Sequence, residues 1–81
     1  QLLQTGTVSI YPNPTIDAIN IRTETPELKL IEIHSLSGQL IYSTTMTGNL
    51  NQIDFSSIQQ GIYFVTIRSE EFLRAEKIVK L

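Results

Sequence analysis

The chain has no cysteine and no tryptophan, and only one histidine and one methionine. Without cysteine there are no disulfides and no thiolate metal sites, so a packed core alone must stabilise the fold. With a single histidine, a zinc site of the usual nitrogen and sulfur ligands cannot be assembled. An excess of one charge sign is also missing. Six Lys and Arg stand against eight Asp and Glu, a net charge of −2, and like charges adjoin only at Glu70-Glu71. That balance supplies no basic surface for nucleic acid. Long apolar runs are absent too. The longest, Ile62 to Val65, is four residues, far short of a membrane span.

What remains is sufficient for one small globular unit. Eighty-one residues, 41% of them hydrophobic, make a single domain with a modest core. A chain of this size buries about 60–65% of the surface it exposes when unfolded. It begins at Gln1 rather than Met. It therefore reads as a piece of a longer protein, with any export leader outside it. Gln1 to Thr7, polar and containing Gly6, is expected to be a flexible linker, and residues 8–81 the domain.

Strand signals recur at short intervals. Val8 to Tyr11 alternates briefly and is stopped by Pro12-Asn13-Pro14, because Pro14 forces Asn13 out of the helical region. Ile19, Ile21 and Thr23 then share one face, with Asn20, Arg22 and Glu24 on the other. Ile31 and Ile33 alternate with Glu32 and His34, whereas Leu28 and Leu30 lie in the opposite phase, which predicts a bulge or a start-of-strand kink near Leu30-Ile31. Ser37-Gly38 supplies a hairpin turn, and Leu40 to Met46 is the return strand. After the Gly48-Asn49 turn, Ile53 and Phe55 mark a short strand, followed by a polar link. Ile62 to Ser69 is the strongest strand, with Tyr63, Val65 and Ile67 on one face. Phe72 to Leu81 fits either helix or strand. A hairpin with the preceding strand favours strand, with Leu73, Ala75, Val79 and Leu81 in phase. Seven short β segments without a helix predict an all-β antiparallel sandwich. Ile19, Ile21, Ile31, Ile33, Tyr63, Val65 and Ile67 should be among its most buried residues.

Three stretches in this order resemble the C-terminal sorting domains of the type IX (Por) secretion system of Bacteroidetes. They are Tyr11-Pro12-Asn13-Pro14 with Asp17 and Ala18 to Ile21; Ile31 to Ile41; and Ile53 to Val65 with Lys77-Ile78-Val79-Lys80. The likeness covers nearly the whole chain from Val8. It departs at His34, where many members carry Tyr or Asn, and in a tail less basic than most. The resemblance implies an Ig-like sandwich of about seven strands at the end of a secreted or cell-surface cargo protein. It also implies passage through the periplasm and outer membrane by that machinery, and removal by a sortase-like cysteine protease. The implied sorting and recognition residues are Pro12, Asn13, Pro14, Gly38, Gly61, Tyr63, Lys77, Val79 and Lys80.

Each of these also has a plain structural account. Pro12-Asn13-Pro14 makes a rigid strand exit, and Asp17 is placed to cap the turn. Gly38 suits a turn. Gly61 either adopts a conformation closed to other residues or admits a neighbouring chain. Tyr63 is expected to bury its ring and tie its hydroxyl to backbone. Lys77 and Lys80 on a solvated edge strand would discourage unwanted pairing. His34 should face solvent or a sheet edge, with no nucleophile or orienting acid beside it. No catalytic, cofactor-binding or metal-binding residue is assigned. The competing reading is an extracellular spacer or carbohydrate-binding module. With no Trp, its only candidate platform is Tyr11, Tyr42 and Phe64.

Overall fold

The computed structural model describes residues 8–70 and 72–81, so the expected linker Gln1–Thr7 lies outside the described residues. Seven strands follow in order: β1 (Val8–Tyr11), β2 (Ala18–Thr23), β3 (Lys29–Ser35), β4 (Leu40–Met46), β5 (Leu50–Asp54), β6 (Gly61–Arg68) and β7 (Leu73–Lys80). They form a three-stranded sheet, β1-β2-β5, and a four-stranded sheet, β4-β3-β6-β7. Every neighbouring pair is antiparallel.

Alternation explains why the two sheets meet. Ile31 and Ile33 of β3 lie opposite Ile67 and Val65 of β6, and all four are fully buried. Ile19 and Ile21 of β2 face them from the other sheet, joined by Val8, Ile53, Phe55, Tyr63 and Ile78 in one cluster. All seven residues expected at the centre are there. β-Branched side chains dominate, and their stiff χ1 suits a pleated, closely packed face.

The β3–β4 hairpin closes through Ser35 N–H donating to Gln39 O (2.8 Å) and Gly38 N–H donating to Ser35 O (2.9 Å), with Gly38 at φ +95°. Only glycine enters that region without strain. The bulge sits elsewhere than expected. The register runs unbroken from Lys29↔Met46 to Ile33↔Tyr42, then jumps to His34↔Leu40, leaving Ile41 with no opposite number. The phase change at Leu28 and Leu30 has a different cause: Lys29 occupies the inward position between them.

Lys29 is 1% exposed, on the same face as Ile31 and Ile33. Its ammonium donates to the carbonyls of Glu27 (2.6 Å) and Gly48 (3.1 Å), tying the chain before β3 to the turn after β4. Loss of hydration holds its pKa below the usual 10.5, partly offset by the Glu27 carboxylate. The unfolded chain therefore keeps this proton to higher pH than the folded one, and stability must rise as pH climbs towards 10.5. In urea titrations between neutral pH and that value, wild type is expected to gain stability relative to Lys29→Met. A constant difference would show that the ammonium is not desolvated.

Candidate functional site

The segment between β1 and β2 cannot extend the ladder, because Pro12 and Pro14 carry no N–H to donate. Both proline peptide bonds are cis. The corner turns instead against the outer edge of β7. The Asn13 side chain bonds that edge as a peptide unit would: Nδ2 donates to Lys77 O (2.8 Å), and Oδ1 accepts from Val79 N–H (3.0 Å). Thr15 continues the pattern with its backbone, its N–H donating to Val79 O (2.8 Å) and its O accepting from Leu81 N–H (2.9 Å). Thr15 is fully buried, bridges Lys80 in parallel sense, and donates Oγ1 to Ala18 O at 2.5 Å. Four backbone groups of a sheet edge are thus satisfied by a corner belonging to the other sheet.

The registers carry the remaining motifs to the same end. Gly61 pairs with Lys80, Tyr63 with Ile78, and Ser35 with Tyr63, while Ala18 pairs with Asp54 across the other sheet. The Tyr63 ring is buried edge-on to Phe55 (centroids 6.3 Å apart, planes at 87°), and its hydroxyl donates to Gln59 O (2.7 Å). Gly61 enters β6 at φ +157°, and a Cβ there would meet the Tyr63 ring only at an ordinary 3.7 Å. Backbone conformation, not space, therefore selects glycine. An open groove of ≈ 450 Å³, lined by Leu36, Ser37, Gly61, Ile62 and Tyr63 among others, sets the Gly38 hairpin loop beside Gly61. The link between β5 and β6 starts with Asp54 Oδ1 accepting from Ser56 N–H (2.8 Å). Those Ser56 hydrogen bonds hold the Asp54 carboxyl below its usual pKa.

Pro12, Asn13, Pro14, Gly61, Tyr63, Lys77, Val79 and Lys80 therefore form one neighbourhood, with Gly38 at its margin. Two expectations fail. Lys80 is not a solvated edge residue: it is 7% exposed, faces inward with Ile78, and donates Nζ to Leu81 O (3.1 Å). Correspondingly, Leu73, Ala75 and Leu81 are exposed and Val79 is half-buried, the reverse of the expected phase. The cause is pairing. Position 78 lies opposite Tyr63, whose face is the core, so 76 and 74 share that face, with Glu76 half-buried and Arg74 exposed. There Arg74 and Glu76 approach to 3.7 Å in solvent. Asp17 contributes to the turn through its backbone O, which accepts from Phe55 N–H (2.7 Å).

Sequence periodicity missed Thr15, and the expected core omitted Phe55 although it shares one short expected strand with Ile53. Thr15 forms only an isolated bridge, which leaves no repeat to detect. Phe55 follows the end of β5 but keeps the inward phase of Ile53, two residues before it. The outward-facing groups of this end are Pro12, Pro14, Ile16, Leu36 and Lys77, on a corner held to β7 by the Asn13 side chain and the Thr15 backbone. Such a surface presents shape. Tyr42 lies on the inward side of β4, opposite Ile33; Phe64 lies on the outer face beside His34; Tyr11 belongs to the other sheet. These three aromatics make no common platform.

Residues 9–81 match the family described as the secretion system C-terminal sorting domain. The chain belongs to that family. Its sorting domain serves type IX secretion, which implies that machinery and a cargo as partners and a cell-surface or extracellular destination. The family is not catalytic. The sorting domain is also similar to part of ulvan lyase NLR42 of Nonlabens ulvanivorans, 26% identical over 69 residues. That match covers 84% of this chain but only 13% of the lyase.

Proposed function

We propose that the end of the sandwich built by the Pro12–Thr15 corner and the Lys77–Leu81 edge is the surface that the secretion machinery reads. Asn13 and Thr15 carry this reading, because they fix β7 and the corner to one another through four hydrogen bonds. Gly38, Gly61, Tyr63, Val79 and Lys80 shape that end, and Pro12, Pro14 and Lys77 present side chains to a receptor. Residues 8–81 act as the sorting module, and Gln1–Thr7 as the linker at which a sortase-like cysteine protease releases the cargo. The domain performs no reaction itself. Any catalysis belongs to the cargo, a division supported by the small share of the lyase that the match covers.

The test is export of a reporter bearing a signal peptide, with residues 1–81 fused at its C-terminus. In a type IX-competent cell the reporter should appear outside, and in a matched strain without the machinery it should stay in the periplasm. Equal export from both strains would overturn the reading. Lys77 is exposed, and surface charge changes usually move stability by less than about 0.5 kcal/mol. Lys77→Ala therefore separates side-chain recognition from folding. Export lost with an unchanged melt places the signal in that side chain.

A further inference from the structure

The ladder between β3 and β6 stops one step short. Its last pair is Ser35↔Tyr63, and the next would set Leu36 against Ile62. That pair does not form, because Ser35 donates its N–H to Gln39 O, accepts from Gly38 N–H, and leads the chain into the hairpin. Leu36 from the hairpin and Ile62 from β6 are left 65% and 38% exposed, bordering the open groove of ≈ 450 Å³. Ser35, Ser37, Gly61 and Tyr63 complete the lining, so none of its residues is charged. Tyr11, Ile16, Leu40 and Leu81 are exposed around the same end. Exposed apolar side chains gathered in this way mark an interaction surface.

Resting on the reading of this end given above, we propose that the groove seats an apolar side chain of the secretion machinery, the anchor of its contact with the domain. The cargo does not occupy it. A C-terminal domain receives its cargo through Val8, which pairs with Thr23 at the far end of β1 and β2, whereas Tyr11 leads into the corner. The cargo is therefore attached at the other end of the sandwich, and the groove is left to the machinery. Its chemistry follows from charge. No lining residue can pair with an ion, and an ion buried without a partner is strongly disfavoured. An aliphatic or aromatic side chain meets no such penalty and removes Leu36 and Ile62 from water. A few anchors of this kind, seated in pockets, carry most of the binding energy of a protein interface.

The reporter fused to residues 1–81 tests this in a type IX-competent cell. Leu36→Lys should lower export by about tenfold or more, the loss typical of an interface anchor. Its thermal melt should not change, because the side chain is exposed. Ile62→Thr keeps a strand-forming residue on the other border and should lower export in the same way. Leu36→Met should export as wild type. So should Leu28→Lys, which alters a similarly exposed leucine (61%) beside Lys29 at the far end. Wild-type export from Leu36→Lys or from Ile62→Thr overturns the anchor, while the matched strain without the machinery still decides the reading of the end as a whole. An equal loss in Leu28→Lys overturns it as well, since the effect would not be local to the groove. Sedimentation of the purified 81-residue chain at about 1 mM, where weak association shows, should find monomer. A dimer that Leu36→Lys dissociates would give the groove to a second copy and overturn the proposal.

Discussion

Phe55→Ala should lower the unfolding free energy by about 3–5 kcal/mol, the range for deleting a buried phenylalanine ring. The residue is fully buried at the end of β5. It packs edge-on against Tyr63, and such aromatic pairs add about 0.5–1.5 kcal/mol beyond area burial. Its backbone is pinned on both sides, by Asp17 O through its own N–H and by Ile58 N–H through its carbonyl. The cavity therefore cannot close easily by movement of the chain. A domain of this length has a total stability of about 4–12 kcal/mol. The substitution should remove about a quarter or more of it and lower the urea midpoint accordingly. A loss below about 1 kcal/mol would mean that the ring is not part of the core.

Asn13→Ala removes both side-chain bonds to β7 and should cost about 1–2 kcal/mol, since each net bond contributes about 0.5–1.5 and water reaches this site. The sharper result comes from comparing it with Asn13→Asp. The carboxylate still accepts from Val79 N–H but has no donor for Lys77 O and repels it. Hydrogen exchange at Val79 should therefore accelerate in Asn13→Ala and stay slow in Asn13→Asp, while both variants lose stability. Equal protection of Val79 in wild type and Asn13→Ala would show that the corner does not hold the edge.

The parts of this fold that were legible in the sequence are those governed by local alternation. Ile19 and Ile21, Ile31 and Ile33, and Tyr63, Val65 and Ile67 face the core because period 2 leaves them no other face. β7 shows where that rule stops. Val79 and Leu81 are as apolar as Ile78, and only the pairing of Tyr63 with Ile78 decides which set turns inward. Lys29 was illegible for another reason. An inward lysine is tolerable only where carbonyls meet its ammonium, and those of Glu27 and Gly48 converge only in the folded chain. The motifs announced themselves as separate stretches. Their meeting at one end depends on registers between residues more than sixty positions apart, which no window of sequence contains.

The Asn13 clamp has a consequence for the history of each molecule. Its two bonds join positions 64 and 66 residues apart. During synthesis Asn13 emerges long before Lys77 and Val79 exist to receive it. Closing so long a loop is an entropic cost met only when the intervening strands are already in place. A chain cut short before Lys77, or one whose middle strands have not assembled, cannot display this corner against its edge. The surface therefore exists only on molecules whose synthesis has passed Leu81 and whose strands from β1 to β7 have assembled.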